Sequence, residues 1–310
     1  MKVMAIQQYG GPEVLTLMDV PIPEPSEGEV RVKVYAADIN PVDFQARQKD
    51  YLGYTGFPIV LGWDISGVVD ALGAGVTDFK VGDDVYGMIR FPKQGRAYAE
   101  YTTAPVTEIV LKPQRLSHVE AAATTLAALT ALQVLEKMNL QAGQTILIHA
   151  GSGGVGHFAV QLAKARGARV IATASEKNLD FVKSLGADEV IDYRARPFEE
   201  QVSGVDAVFD TVGGETFTRS FGMVKRGGWV VGIVTQMTDE LSEQARRAGV
   251  NAAWNAVHPS KTGLEYFNTL VESEQLKPHI SQTFPLEGVA DAHRAQESRR
   301  TVGKLVLTVA

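Results

Sequence analysis

The period of the hydrophobic pattern changes repeatedly between residues 145 and 233. Short apolar runs alternate with stretches whose apolar residues recur every three or four positions. The runs predict strands at 145–149, 169–173, 188–191, 205–210 and 228–233, with helices starting near 154, 176, 197 and 214. Strand and helix in alternation predict a parallel, doubly wound sheet. Val250–Val257 is a candidate for its last strand. Gly263–Glu274 has helical periodicity, and Gly303–Val309 reads as a terminal strand.

The pattern before residue 118 is different. Val30–Tyr35 alternates as a strand, Pro21–Pro25 is an extended connector, and Gly82–Gly87 is a turn leading into another strand. Short strands punctuated by glycine and proline predict an antiparallel, barrel-like domain. Val119–Met138 is rich in Ala, Leu and Thr and predicts one long helix, with Ser117 as N-cap and Glu120 in the first turn. The last fifty or so residues show no further strand–helix–strand unit, so they are expected to return to the first domain. The expected division is 1–120 with 262–310, and 121–261.

The strongest chemical signal lies at the first strand of the alternating region. Thr145–Gly156 reads T-I-L-I-H-A-G-S-G-G-V-G, and Gly151, Gly153 and Gly156 fit G-x-G-x-x-G. A buried strand precedes the glycines and a helical stretch, His157–Arg166, follows them. That context is what a dinucleotide fingerprint requires. A pyrophosphate approaches backbone only where side chains are absent, and it then meets free N–H groups at a helix N-terminus.

The end of the second strand bears on the choice between NAD and NADP. An NAD site carries an acid there for the ribose 2′-hydroxyl. Here Ala174 and Ser175 are followed by Glu176 and Lys177. A small hydroxyl residue and a cation suit a 2′-phosphate, which a carboxylate would repel. NADPH is therefore expected, with Glu176 the complication. The alternative is that Ser175 caps the next helix and Lys177 is solvated surface. Tyr193-Arg194, after the third strand, adds a wall and a charge for the same phosphate.

Composition narrows the options. The chain has 310 residues, 45% hydrophobic and 21% charged, as in ordinary soluble proteins. A net charge of −6 weighs against nucleic-acid and anionic-membrane partners. No run is expected to span a bilayer. The start, Met1–Tyr9, turns polar too quickly for a secretory signal, so a cytoplasmic location is expected. There is no cysteine, hence no disulfide, no thiolate nucleophile and no cysteine-bound zinc. None of His118, His149, His157, His258, His279 and His293 stands at ligand spacing to Glu or another His, so no metal site is expected. His149 ends a buried strand and reads as structural.

Several segments together resemble a known superfamily. They are Tyr9–Leu15, Ala37–Asp43, Leu61–Val69, Val81–Gly87, the Gly153–Gly156 turn, Leu185–Asp188 and Gly303–Leu307. Across nearly the whole chain, they are similar to the medium-chain dehydrogenase/reductases, in the zinc-free quinone oxidoreductase (zeta-crystallin-like) branch. The resemblance implies a GroES-like β-barrel domain beside a Rossmann domain, with dimers usual. It places Asn40 near nicotinamide and substrate, Thr130 at the nicotinamide end, and Gly151, Ser152, Gly153, Gly154, Val155 and Gly156 at the pyrophosphate. It adds Ser175, Lys177 and Tyr193 at the 2′-phosphate, Gly232 and Ile233 along the cofactor, and Tyr51 at the substrate mouth. Bland readings stand beside these: Asn40 as a turn residue, Asp43 as a brace for the following helix, and Tyr51 as part of an aromatic cover with Tyr54 and Phe57.

The zinc-dependent relatives of that superfamily carry Cys at Asn40 and Gly-His-Glu at Gly62-Trp63-Asp64. Without a Lewis acid, ionising an alcohol is difficult, whereas a quinone or enone accepts hydride at carbon directly. The expectation is an NADPH-dependent, metal-free reductase of quinones or α,β-unsaturated carbonyls, acting on small molecules as a homodimer. The alternative is an NADPH-binding protein with little turnover and a structural or RNA-binding role, disfavoured by the acidic charge.

Overall fold

The computed structural model describes residues 1–54 and 56–309. The chain divides into two compact units, Met1–Leu129 with His258–Ala310, and Thr130–Val257.

The second unit is built on six parallel strands in the order Glu189–Asp192, Arg169–Ala174, Thr145–Ile148, Val205–Asp210, Val224–Gly232, Asn251–Trp254. Strand order therefore reverses between Thr145–Ile148 and Val205–Asp210. Ile146, Leu147 and Ile148 are all fully buried, as strands of a parallel sheet covered on both faces should be. Leu147, Val208, Phe217, Val205 and Val230 share one core.

Two helices differ from expectation. Only a single 3-10 turn, Phe198–Glu200, forms near 197. Pro197 starts it and Gly204, at φ +65°, turns the chain into the next strand, so no length remains for a helix. Asp239–Ala248 is a helix that the apolar pattern did not reveal, because its exposed face dominates. Thr238 caps it by accepting the Leu241 N–H, and Gly249 ends it at φ +74°.

In the first unit, the long strand Glu29–Ile39 organises a seven-stranded sheet. Register shifts along it, between its Arg31–Val32 and Val34–Ala36 steps, let it serve several partners. Residues 29–33 pair with Tyr101–Pro105, and residues 36–39 pair with Lys304–Thr308. Asp64–Leu72 lies antiparallel along it, followed in order by Asp84–Met88 and Ile109–Leu111. Lys2–Ile6, between Leu15–Asp19 and Ile59–Val60, forms a second, small sheet. The pairing of Ile39 with Leu305 brings the end of the chain against the Ile39-Asn40 step.

The long helix expected over 119–138 is two helices, His118–Ala123 and Leu126–Lys137. Ser117 Oγ accepts the Glu120 N–H and Glu120 Oε2 accepts the Ser117 N–H, a reciprocal cap. Thr124 and Thr125 break the run, because their hydroxyls bond back to the Glu120 and Ala122 carbonyls. Contrary to expectation, His118–Lys137 is long and apolar enough to cross a membrane by length and composition. It is mostly buried inside the protein, as a core helix is.

Candidate active site

The glycine turn sits at the C-terminal edge of the parallel sheet, where such sheets bind ligands. Gly151 N–H donates to Thr173 O at 2.9 Å, and Gly153 N–H to Ala150 O at 2.9 Å. A Cβ on Gly156 would stand 2.1 Å from Ala150 O, so that position admits no side chain. A Cβ on Gly151 would meet Ala172 Cβ at 2.9 Å. The helix Gly156–Ala165 begins here. Among the described residues, the Gly154 and Val155 N–H groups have no protein acceptor. A bare backbone cradle with free donors at a helix start fits a pyrophosphate.

His149 holds this turn. Ser220 donates to Thr216 O, so its Oγ accepts from His149 Nε2 at 3.0 Å. His149 Nδ1 then accepts from Thr173 Oγ1 at 3.3 Å, while that hydroxyl accepts the Ala150 N–H. Burial pushes the His149 pKa down to about 4, so the ring stays neutral and structural.

At the end of the second strand, Ser175 follows Ala174 on the same edge, and Tyr193 N–H donates to Ala174 O at 3.3 Å. Ser175 Oγ does not cap the next turn. Instead Asn178 Nδ2 donates to both Ser152 Oγ, at 3.2 Å, and Ser175 Oγ, at 3.3 Å. With their lone pairs engaged this way, both hydroxyls keep a proton to donate, which suits an anionic ligand. Lys177 is exposed. Tyr193 is exposed too, with Arg194 over its ring. Gly151, Ser152, Gly153, Gly154, Val155, Gly156, Ser175 and Tyr193 are thus brought to one edge.

On the other side of the strand-order reversal, Gly232 ends the fifth strand and Ile233 follows it. Ile233 N–H donates to Asp210 O, and Asn255 N–H donates to Gly232 O at 2.9 Å. The ring of Phe217 lies so close to Gly232 that a Cβ would meet it at 3.0 Å.

In the first unit, Asn40 starts the helix Pro41–Gln48. Its backbone N–H donates to Asp43 Oδ2 at 2.5 Å, so Asp43 does brace that helix. Its side chain is held at both ends: Nδ2 donates to Asp64 Oδ2 at 2.6 Å and Oδ1 accepts from Lys304 Nζ at 2.8 Å. Lys304 Nζ also lies 2.7 Å from Asp38 Oδ2. Asp64 Oδ1 accepts the Leu126 N–H and thereby caps the helix that carries Thr130 one turn later. Asp38, Asp43 and Asp64 are all buried, and Asp38 and Asp64 share the field of Lys304. Burial pushes Asp38 up to about 8 and Asp64 up to about 6, although Lys304 pulls both back. Burial also raises Asp43, next to which lies the Tyr98 hydroxyl. Arg47 Nη1 donates to His293 Nδ1, leaving Nε2–H for the Tyr98 oxygen at 3.2 Å.

Tyr51 lies apart from this network, 44% exposed on its loop. Near it, Tyr9 packs edge-on against Phe57, and Tyr54 donates to Pro92 O. Thr130 is buried on its helix. Among the described residues no group of three or more His, Cys, Asp or Glu could hold a metal ion. Sequence reading passed over Asp38, Asp64, Lys304, Asn178 and Asn255 as functional residues. The G-K-L-V-L run carried Lys304 in plain view, but only strand pairing shows that it ends beside Asn40.

Comparison with known proteins places the chain among relatives along its whole length. Residues 26–114 match the family described as alcohol dehydrogenase GroES-like domain, and residues 185–307 the family described as zinc-binding dehydrogenase. The chain is 37% identical to a 2-methylene-furan-3-one reductase of Solanum lycopersicum over 99% of its own length and 79% of the relative's. It is 36% identical to a chloroplastic NADPH-dependent alkenal/one oxidoreductase of Arabidopsis thaliana, with the same coverage. The solved structure of a quinone oxidoreductase from Coxiella burnetii superposes with a TM-score of 0.95 at 37% identity, covering 100% of this chain and 99% of that one. A barrel-type first unit, a doubly wound second unit and an asparagine–aspartate–lysine cluster without cysteine together identify the chain as a member of the medium-chain dehydrogenase/reductase superfamily, in its zinc-free quinone oxidoreductase branch.

Proposed function

We propose that this protein is an NADPH-dependent oxidoreductase that reduces quinones or α,β-unsaturated carbonyls without a metal. The observation that carries the reading is the closed network around Asn40. Asn40 and Asp64 bond to each other, to Lys304 and to a helix N-terminus, so neither is free to bind a Lewis acid. An acceptor must then be electrophilic on its own. Quinones and enones share a C=C–C=O unit that takes hydride at carbon and places the developing charge on oxygen. Bound NADPH supplies that hydride from its nicotinamide ring.

The chain's own residues hold and orient the reactants. The Gly151–Gly156 turn receives the pyrophosphate, and Ser175, Lys177 and Tyr193 the 2′-phosphate. Thr130, Gly232 and Ile233 lie along the nicotinamide half. Asn40 is a fixed polar surface near the reacting ring rather than a proton carrier, since its amide is engaged at both ends. Tyr51 is exposed and its hydroxyl has no partner among the described residues, which suits it to donate to the acceptor's oxygen. Assembly as a cytoplasmic homodimer belongs to the same reading. Asn251–Trp254 is an edge strand of the sheet among the described residues, and in this reading a second copy pairs along it.

The test is NADPH oxidation followed by absorbance with a quinone, an enone and a simple ketone, each with and without a chelator. Turnover is expected with the first two, not with the ketone, and unchanged by chelation. Activity confined to the ketone, or lost on chelation, refutes the proposal. Lys177→Ala should weaken NADPH binding by about 1–2 kcal/mol, the scale of a lost charge-assisted contact, with little effect on NADH. Equal weakening of both nucleotides, measured by titration, rules Lys177 out of the phosphate pocket.

A further inference from the structure

Asn255 presents a buried donor that no described residue accepts. It follows the last strand of the parallel sheet, Asn251–Trp254, and the residue is 9% exposed. Its Nδ2 has no hydrogen-bond partner among the described residues. Native proteins leave few buried polar groups unpaired, and each such group calls for an explanation.

The internal symmetry of the sheet supplies one. A doubly wound sheet consists of two mononucleotide-binding halves. In the first half, Ala174 pairs with Asp192, and Tyr193 N–H returns to Ala174 O. In the second, Gly232 pairs with Trp254, and Asn255 N–H returns to Gly232 O. Asn255 therefore stands to the second half as Tyr193 stands to the first. The indole of Trp254 fixes the neighbouring backbone by donating to Ile233 O at 3.2 Å.

We propose that the Asn255 side chain donates a hydrogen bond to the carboxamide carbonyl of the bound nicotinamide. This inference rests on the NADPH reading above. The adenosine half of the cofactor belongs with Ser175 and Tyr193, which leaves the nicotinamide half for Gly232, Ile233 and Asn255. Within that half, ribose hydroxyls both donate and accept, whereas the carboxamide oxygen only accepts. The unpaired Nδ2 donor can be met by either, and the carboxamide oxygen is the acceptor whose capture also orients the ring. Such a bond fixes the ring about its glycosidic axis and so sets which face of C4 meets the acceptor.

The test compares two ligands that differ by the nicotinamide. NADPH and 2′-phospho-ADP-ribose are titrated into wild-type protein, Asn255→Leu and Asn255→Ala, with folding checked by circular dichroism. The expected result is a Kd for NADPH raised roughly tenfold in the variants, with 2′-phospho-ADP-ribose bound as in the wild type. Unchanged NADPH affinity, or equal weakening of both ligands, overturns the role of Asn255. Wild-type protein that binds neither ligand overturns the cofactor reading itself, and the two failures are thereby distinct.

Discussion

Lys304→Met is expected to destabilise the protein by about 3–5 kcal/mol at pH 8, the cost of removing one partner of a buried ion pair, and by clearly less at pH 5. The ammonium is the cation held among Asp38, Asp64 and the Asn40 amide oxygen. Without it, buried carboxylates face each other. Asp38 and Asp64 are already raised, to about 8 and about 6. A group raised in the folded state binds a proton that the unfolded chain has released. Its contribution is therefore complete at low pH and lost as pH rises through the folded value. Removing Lys304 raises both carboxylates further, so protonation near pH 5 relieves the deficit and pH 8 exposes it. Urea unfolding at the two pH values measures this, and Lys304→Met with Asp38→Asn should recover part of the loss. A deficit equal at both pH values, or under about 1 kcal/mol, would mean that the network is not electrostatically coupled.

Gly156→Ala should abolish most cofactor binding while the chain still folds. The added Cβ would meet Ala150 O at 2.1 Å, Ala150 C at 2.9 Å and Gly151 Cα at 3.0 Å. All three are backbone atoms of the turn, so relief requires the turn itself to open. That opening misplaces the Gly154 and Val155 N–H groups. A rise of about 100-fold in the NADPH Kd corresponds to roughly 2.7 kcal/mol. The sheet core around Leu147, Val208 and Val230 lies below the turn and is untouched. Thermal unfolding with and without NADPH reads the effect. Wild-type protein should gain stability with ligand and the variant little, and a full ligand-induced shift in the variant would disprove the role of this close approach.

The parallel sheet was legible because its strands are apolar on both faces and its turns carry glycine. Ile146-Leu147-Ile148 followed by Gly151 can hardly be anything else. The Asp239–Ala248 helix was not, since its single buried residue, Ala245, gives no stripe to detect. The break at Thr124-Thr125 was hidden for a different reason. Two threonines inside an alanine-rich run look helical, and only their bonds to Glu120 O and Ala122 O, with Asp64 at the restart, reveal the interruption. The candidate site was legible where one segment defines it, as in the glycine turn. It was opaque where residues distant in sequence converge. Asp38 and Lys304 meet only because Ile39 pairs with Leu305, and no local pattern encodes that pairing. Asn178 likewise carries no local signal, since its amide gains a role only where the fold lets it span Ser152 and Ser175.

The helix Leu126–Lys137 has a consequence for how the chain can be cut. The division between the units falls after Leu129, inside this helix, whereas domain boundaries ordinarily occupy exposed linkers. A protease that needs an extended, accessible segment finds none at that crossing. The return crossing is different, since the stretch 255–260 has no regular secondary structure. Splitting the gene at residue 129 would sever a hydrogen-bonded helix in its second turn and strip the second fragment of the Asp64-capped end. Fragments meant to be expressed separately are better divided beyond Lys137, leaving the whole helix with the piece that supplies its cap.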